Sequence, residues 1–128
     1  MKLKLLAVAL FCSALLAQEG HPMRGTWHGS WGPNGQERTP VTLVMDWDGK
    51  DVTGIMNPGV RSSKLEKTSL DAANWQFHFE SDYKDRSGKV SHVVIDAQIQ
   101  EVTSPRRQMV GTWTDGTQKG DFKAVRDN

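Results

Sequence analysis

Carboxylates, four histidines and five tryptophans carry what chemistry this 128-residue sequence offers. Asp46-Trp47-Asp48-Gly49-Lys50-Asp51 sets acids at alternate positions beside a glycine, as a calcium loop begins. Such a loop needs a bidentate acid at its twelfth position and helices on both sides. The twelfth residue from Asp46 is Asn57, and both flanks alternate like strands. Asp48-Gly49 between alternating apolar runs is instead what a two-residue type I′ hairpin requires, so calcium is not predicted.

His78 and His92 fall on the polar faces of two segments flanking a polar stretch at 81–89, with Glu80 and Asp96 on the same faces. A hairpin centred near residue 85 would set the two imidazoles opposite each other, with Cβ atoms about 5 Å apart. Zinc asks for three or four convergent ligands, and this pair supplies two, so they are read as solvated strand residues. No metal and no cofactor is predicted. His28 faces away from Trp27 and is expected to be exposed, and His21 precedes the patterned region. The sequence holds no nucleophile elbow, metalloprotease helix or phosphate-binding glycine loop, and nothing in it pairs two particular carboxylates. No catalytic residue is predicted.

The tryptophans are the compositional anomaly. Trp27, Trp47, Trp75 and Trp113 fall on the face their strand would bury, and each buried indole N–H needs a partner. Aromatic walls with a few polar groups are the usual make-up of a small-molecule site. The candidate ligand-binding residues are therefore Trp31, Met45, Trp47, Met56, Trp75, Phe77, Arg107 and Trp113. Trp31 sits at a strand end beside Gly32-Pro33, where a barrel mouth would lie. An inward Arg107 needs a counter-group or a polar ligand, since burying an unpaired charge is costly.

The elements that must position these side chains are strands. Apolar residues recur at period two in 24–31, 41–47, 52–56, 75–80, 93–99, 107–113 and 120–126, with a further strand at 64–70. Gly32-Pro33-Asn34-Gly35, Asn57-Pro58-Gly59, Ser87-Gly88 and Asp115-Gly116 punctuate them with turn chemistry. Eight short strands joined by hairpins predict an all-β, antiparallel up-and-down barrel, because closure removes exposed edges; a β-sandwich is the alternative.

The ends of this pattern carry Gly25-Thr26-Trp27 on the first strand and Arg126 near the end of the last. In this the chain resembles the lipocalins and their calycin relatives, including the avidins. They begin with Gly-x-Trp and close with a basic residue packed over that Trp. The resemblance implies that the first and last strands are neighbours, with Trp27 and Arg126 as the closure, where a guanidinium over an indole is favourable. The Thr-Asp-Tyr loop signature of true lipocalins is echoed only by Ser81-Asp82-Tyr83, and their paired cysteines are missing.

Residues 1–17 read as an export signal: Lys2 and Lys4 precede an apolar run of about a dozen residues, too short to span a bilayer, ending at Ala17. Cys12 lies within it, preceded by Phe11 rather than the small residue of a lipobox. Cleavage would leave a flexible lead-in at 18–22 and one domain at 23–128, free of cysteine and with no transmembrane segment. Of 16 basic residues two lie in the signal, so 14 face 15 acids, a balance that attracts neither nucleic acid nor anionic membrane at long range. The expectation is a secreted or periplasmic, non-enzymatic protein that binds a small apolar or amphipathic ligand in an aromatic-lined barrel. The alternatives are an interaction or inhibitor module on a filled core, and a small hydrolase or isomerase using the cavity.

Overall fold

Period-two alternation shapes nearly all of the computed structural model, which describes residues 20–127. The strands are β1 (Gly25–Gly32), β2 (Thr39–Trp47), β3 (Val52–Met56), β4 (Ser63–Lys64) and β5 (Glu66–Asp71), then β6 (Gln76–Lys84), β7 (Val90–Gln100), β8 (Gln108–Thr114) and β9 (Lys119–Asp127). They form one antiparallel sheet in the order β4-β3-β2-β1-β9-β8-β7-β6-β5. The expected export signal at 1–17 lies outside the described residues. Among the described residues no helix is long and apolar enough to cross a membrane.

The two ends of that order are consecutive in the chain, so the sheet curls into a nearly closed barrel. The strand expected at 64–70 is two pieces, which makes nine strands among the described residues where eight are expected. Its first piece pairs with β3 (Met56 opposite Ser63) and its second with β6 (Leu70 opposite Phe77). The break lies at Leu65 and a register shift between Glu66 and Ser69, where Lys67 takes a positive φ of 50°. A bulge of this kind bends a strand sharply, which lets one segment serve both edges. Side chains complete the ladder at this seam: Thr68 Oγ1 donates to the Val52 carbonyl at 2.7 Å, and Ser81 Oγ to that of Lys64 at 2.9 Å. Ser81 is the one fully buried polar residue in the described core, and Ser63 Oγ lies 2.7 Å from its hydroxyl.

The barrel interior is filled. Trp27, Leu43, Phe79, Ile95, Met109 and Phe122 are all fully buried. Phe79 meets Phe122 edge-on at 6.1 Å and lies 5.3 Å from Phe77. Each edge-to-face pair adds about 0.5–1.5 kcal/mol to the burial of its rings. Curvature this tight requires close backbone approach. At Gly111, a Cβ atom would run into the Asp96 carbonyl oxygen and Ala97 Cα of β7.

The tight turns depart from the expected type I′ at Asp48-Gly49. Only Gly49 has a positive φ there, and Asp48 closes the loop with its side chain by accepting from the Lys50 and Asp51 amides. Asp115 repeats the device on Thr117 and Gln118, and Asp85 on Ser87 and Lys89. These carboxylates are consumed as loop caps, which holds the pKa of each below the ordinary carboxylate value.

Candidate functional site

β1 and β9 pair as the resemblance implies, with Trp27 directly opposite Arg126. The contacts of the Arg126 guanidinium are backbone carbonyls: Nε donates to Arg24 at 2.6 Å and Nη1 to Pro105 at 3.2 Å. Arg107 works alongside it, with Nε donating to the Val102 carbonyl at 2.6 Å and Nη1 reaching that of Pro22 at 3.4 Å. The cost of an inward Arg107 is thus met by carbonyl acceptors. Burial, and secondarily the charge of Arg126, lowers its pKa. At this same end the expected lead-in finishes in a turn, where His21 stacks on Trp47 at 4.1 Å with planes 7° apart. Burial, then the charge of Arg107, lowers the pKa of His21. Met23 is fully buried behind it. This end of the barrel is plugged.

The eight proposed ligand-binding residues therefore separate. Met45, Met56 and Phe77 are packed core. Trp47 belongs to the plugged end. Trp75 lies outside its expected strand, in the turn before β6 with a φ of 53°, where its carbonyl accepts from the Ile99 amide. Trp31 and Trp113 come together at the opposite end, where β1, β6 and β8 deliver inward side chains to the barrel mouth.

There the two indoles stack 6.0 Å apart with planes 8° from parallel, and Tyr83 meets Trp31 edge-on at 5.2 Å. Gly120, opposite Trp113 on the intervening β9, contributes no side chain at this level. The three aromatics border a cavity of about 290 Å³ that also touches Val93, Ser91, Glu37 and Arg38. Arg38 fixes the rim: its guanidinium bonds Ser30 Oγ and the Ser30 and Asn34 carbonyls, and pairs with Asp121. Trp113 Nε1 is buried with no hydrogen-bond partner among the described residues, whereas Trp27 Nε1 donates to the Met23 carbonyl at 3.0 Å. Tyr83 was missed from the sequence because 81–89 reads as a polar loop, although Phe77, Phe79, Ser81 and Tyr83 continue one alternation.

A second constellation lies on the outer face of β6 and β7. The register corrects the expected His78–His92 opposition: His78 lies opposite Asp96 and His92 opposite Asp82, with Glu80 opposite Val94. The result is a continuous chain, Asp96–His78–Glu80–His92–Asp82, with links of 2.7, 2.9, 2.8 and 2.9 Å. Both nitrogens of each imidazole meet a carboxylate, which favours the doubly protonated ring. Burial opposes charge on His78, but its bonds to Glu80 and Asp96 prevail and raise its pKa. The bonds of His92 to Glu80 and Asp82 raise its pKa too. Glu80 is lowered from 4.5 to about 2 by its bonds to His92 and then His78.

His78 and His92 stand four residue steps apart, roughly 13 Å along the backbone, and the Glu80 carboxylate lies between their Nε2 atoms, so the two rings do not converge on one metal ion. No group of three His, Cys, Asp or Glu among the described residues is disposed to hold one. Ser69, His78 and Asp96 do form a cross-strand row. His78 Nε2 is given to Glu80, however, so this row does not activate the Ser69 hydroxyl.

No family model matches the chain, and no curated protein matches it either.

Proposed function

We propose that this chain is an exported binding protein that holds a small, partly apolar ligand at the mouth of its barrel, in the manner of the calycins. One observation carries the reading: Trp31, Tyr83 and Trp113 border a cup of about 290 Å³ at the barrel mouth. The volume sits at the lower edge of small-molecule sites, about 300 Å³, so a single ring system or short chain suits it better than a bulky ligand. The filled interior argues against deep carriage, since Phe77, Phe79 and Phe122 occupy the space a central ligand would need. The signal-like residues 1–17 support a periplasmic or extracellular location.

Native mass spectrometry of the protein purified from its own source, paired with tryptophan fluorescence, tests the reading. The expected result is an added mass that dissociates on activation, with emission that shifts when the ligand is stripped. Recovery of the bare polypeptide alone, with emission unmoved by a panel of small aromatic and aliphatic compounds, overturns it.

A further inference from the structure

We infer that the mouth ligand bears a negatively charged group, held beside the cup by Arg61, Lys84 and Arg86. The inference rests on the mouth-binding reading above and names the chemical class it would take. An open groove of about 900 Å³ adjoins the cup and shares Arg38, Thr39 and Tyr83 with it. Its banks are the β3–β4 connection, which supplies Val60 and Arg61, and the β6–β7 connection with the last residue of β6, which supply Lys84 and Arg86.

The charge in this groove is unanswered. Arg38 is paired with Asp121, but Arg61, Lys84 and Arg86 make no ion pair among the described residues. Among the described residues Asp85 is the one acid lining the groove, and its Oδ1 is turned into its own loop, accepting from the Ser87 amide and hydroxyl and the Lys89 amide. The sequence as a whole carries a net charge of only +1, so three free cations on one groove are a matter of placement rather than of composition. Bringing like charges together costs energy that a bound anion removes.

Apolar surface accompanies them. Val60 is 99% exposed beside Arg61, and Pro58 and the buried Val41 also line the groove. Cations beside aliphatic surface, continuous with an aromatic cup, match an amphiphile with its ring or chain in the cup and its carboxylate or sulfonate in the groove. A near-neutral protein with three such cations lacks the extended basic surface that a nucleic acid requires.

Three probes sharing one apolar body test this by titration calorimetry: 2-naphthylacetate, 2-naphthylacetamide and 2-(2-naphthyl)ethylammonium. The acid is expected to bind at least about tenfold more tightly than the amide, the scale of one or two charge-assisted hydrogen bonds, and the ammonium most weakly. In the Arg61→Gln, Lys84→Gln, Arg86→Gln triple variant the acid is expected to fall to the affinity of the amide. Salt gives a check that needs no variant: between about 0.02 M and 0.5 M NaCl the acid weakens several-fold and the amide holds. Acid and amide binding alike, or the ammonium binding best, overturns the anionic assignment and leaves the cup intact. Failure of all three to bind, with tryptophan emission unmoved, removes the cup reading and the assignment together.

Discussion

Trp27 and Trp113 are both buried indoles, yet truncating them to phenylalanine should have different consequences. Trp27 Nε1 is bonded to the Met23 carbonyl at 3.0 Å, and Trp113 Nε1 has no partner among the described residues. Either change removes about 40 Å² of ring surface, near 1 kcal/mol at ~25 cal/mol per Å². At position 27, which is fully buried, a residual cavity and an orphaned Met23 carbonyl add to this, for a total of about 3–4 kcal/mol. At position 113 the lost surface is offset by relief of an unsatisfied donor, about 1–3 kcal/mol, so Trp113→Phe should fall within about 1 kcal/mol of the parent. Urea unfolding reads the difference as separated midpoints at constant m-value, with Trp27→Phe well below both other proteins. Equal losses at the two positions would refute the reasoning, because they would mean that the Trp113 N–H is satisfied in the ligand-free protein. The same variant tests the site: Trp113→Phe removes part of the cup wall and should weaken a ligand seated there while leaving the fold stable.

Three other perturbations follow from the packing and the charges. Gly111→Ala should abolish folding or cost more than about 3 kcal/mol, because its Cβ meets the β7 backbone, whereas Gly35→Ala, with nothing within 4 Å, should stay within about 0.5 kcal/mol; thermal melts of the pair decide this. Thr68→Val should cost about 1 kcal/mol by removing the hydroxyl bond to Val52 across the seam, with faster amide exchange in β3 as the readout. The outer histidine–carboxylate chain should make stability depend on pH in a defined direction. Glu80 is depressed from 4.5 to about 2, so its contribution is complete above 4.5 and lost as pH falls through 2. His78 and His92 are raised above 6.5, so theirs is complete below 6.5 and lost as pH rises through the raised values. His21, lowered by burial, runs the opposite way, so the test is a difference: Glu80→Gln should flatten the fall in urea midpoint above pH 6.5 seen in the parent. An unchanged slope in the variant sinks the linked chain.

Strands were legible in this sequence because alternation is a local signal, while registers were not, because they depend on how each loop is spent. The strand expected at 52–56 is β3 as found, bounded by turn residues on both sides. Polarity at 81–84 reads as loop, but Ser81 points inward and satisfies its hydroxyl across the seam, and Asp82 points outward to His92. β6 therefore runs on to Lys84, and the hairpin centres near residue 87 instead of 85. That shift of two converts an expected His–His opposition into two His–Asp oppositions joined by Glu80. Trp75 failed as a wall residue for a related reason: its positive φ belongs to the turn, and no alternation rule reports φ.

The two ends of the barrel are built for different work, and this asymmetry is what points the functional reading at the mouth. At one end Arg107 and Arg126 direct their guanidinium groups onto main-chain carbonyls, while His21 lies flat on Trp47. Those charges are spent on closing the fold. At the other end the aromatics leave a cup, and beside it Arg61, Lys84 and Arg86 make no ion pair among the described residues. A barrel whose middle is packed with phenylalanine gains nothing in stability from free cations at its rim. Removing them should therefore leave the urea midpoint within about 0.5 kcal/mol of the parent, the range of surface substitutions. A larger loss on neutralising Arg61, Lys84 and Arg86 together would assign them to the fold, as Arg107 and Arg126 are assigned. A silent change in stability with a loss of acid binding assigns them to the ligand.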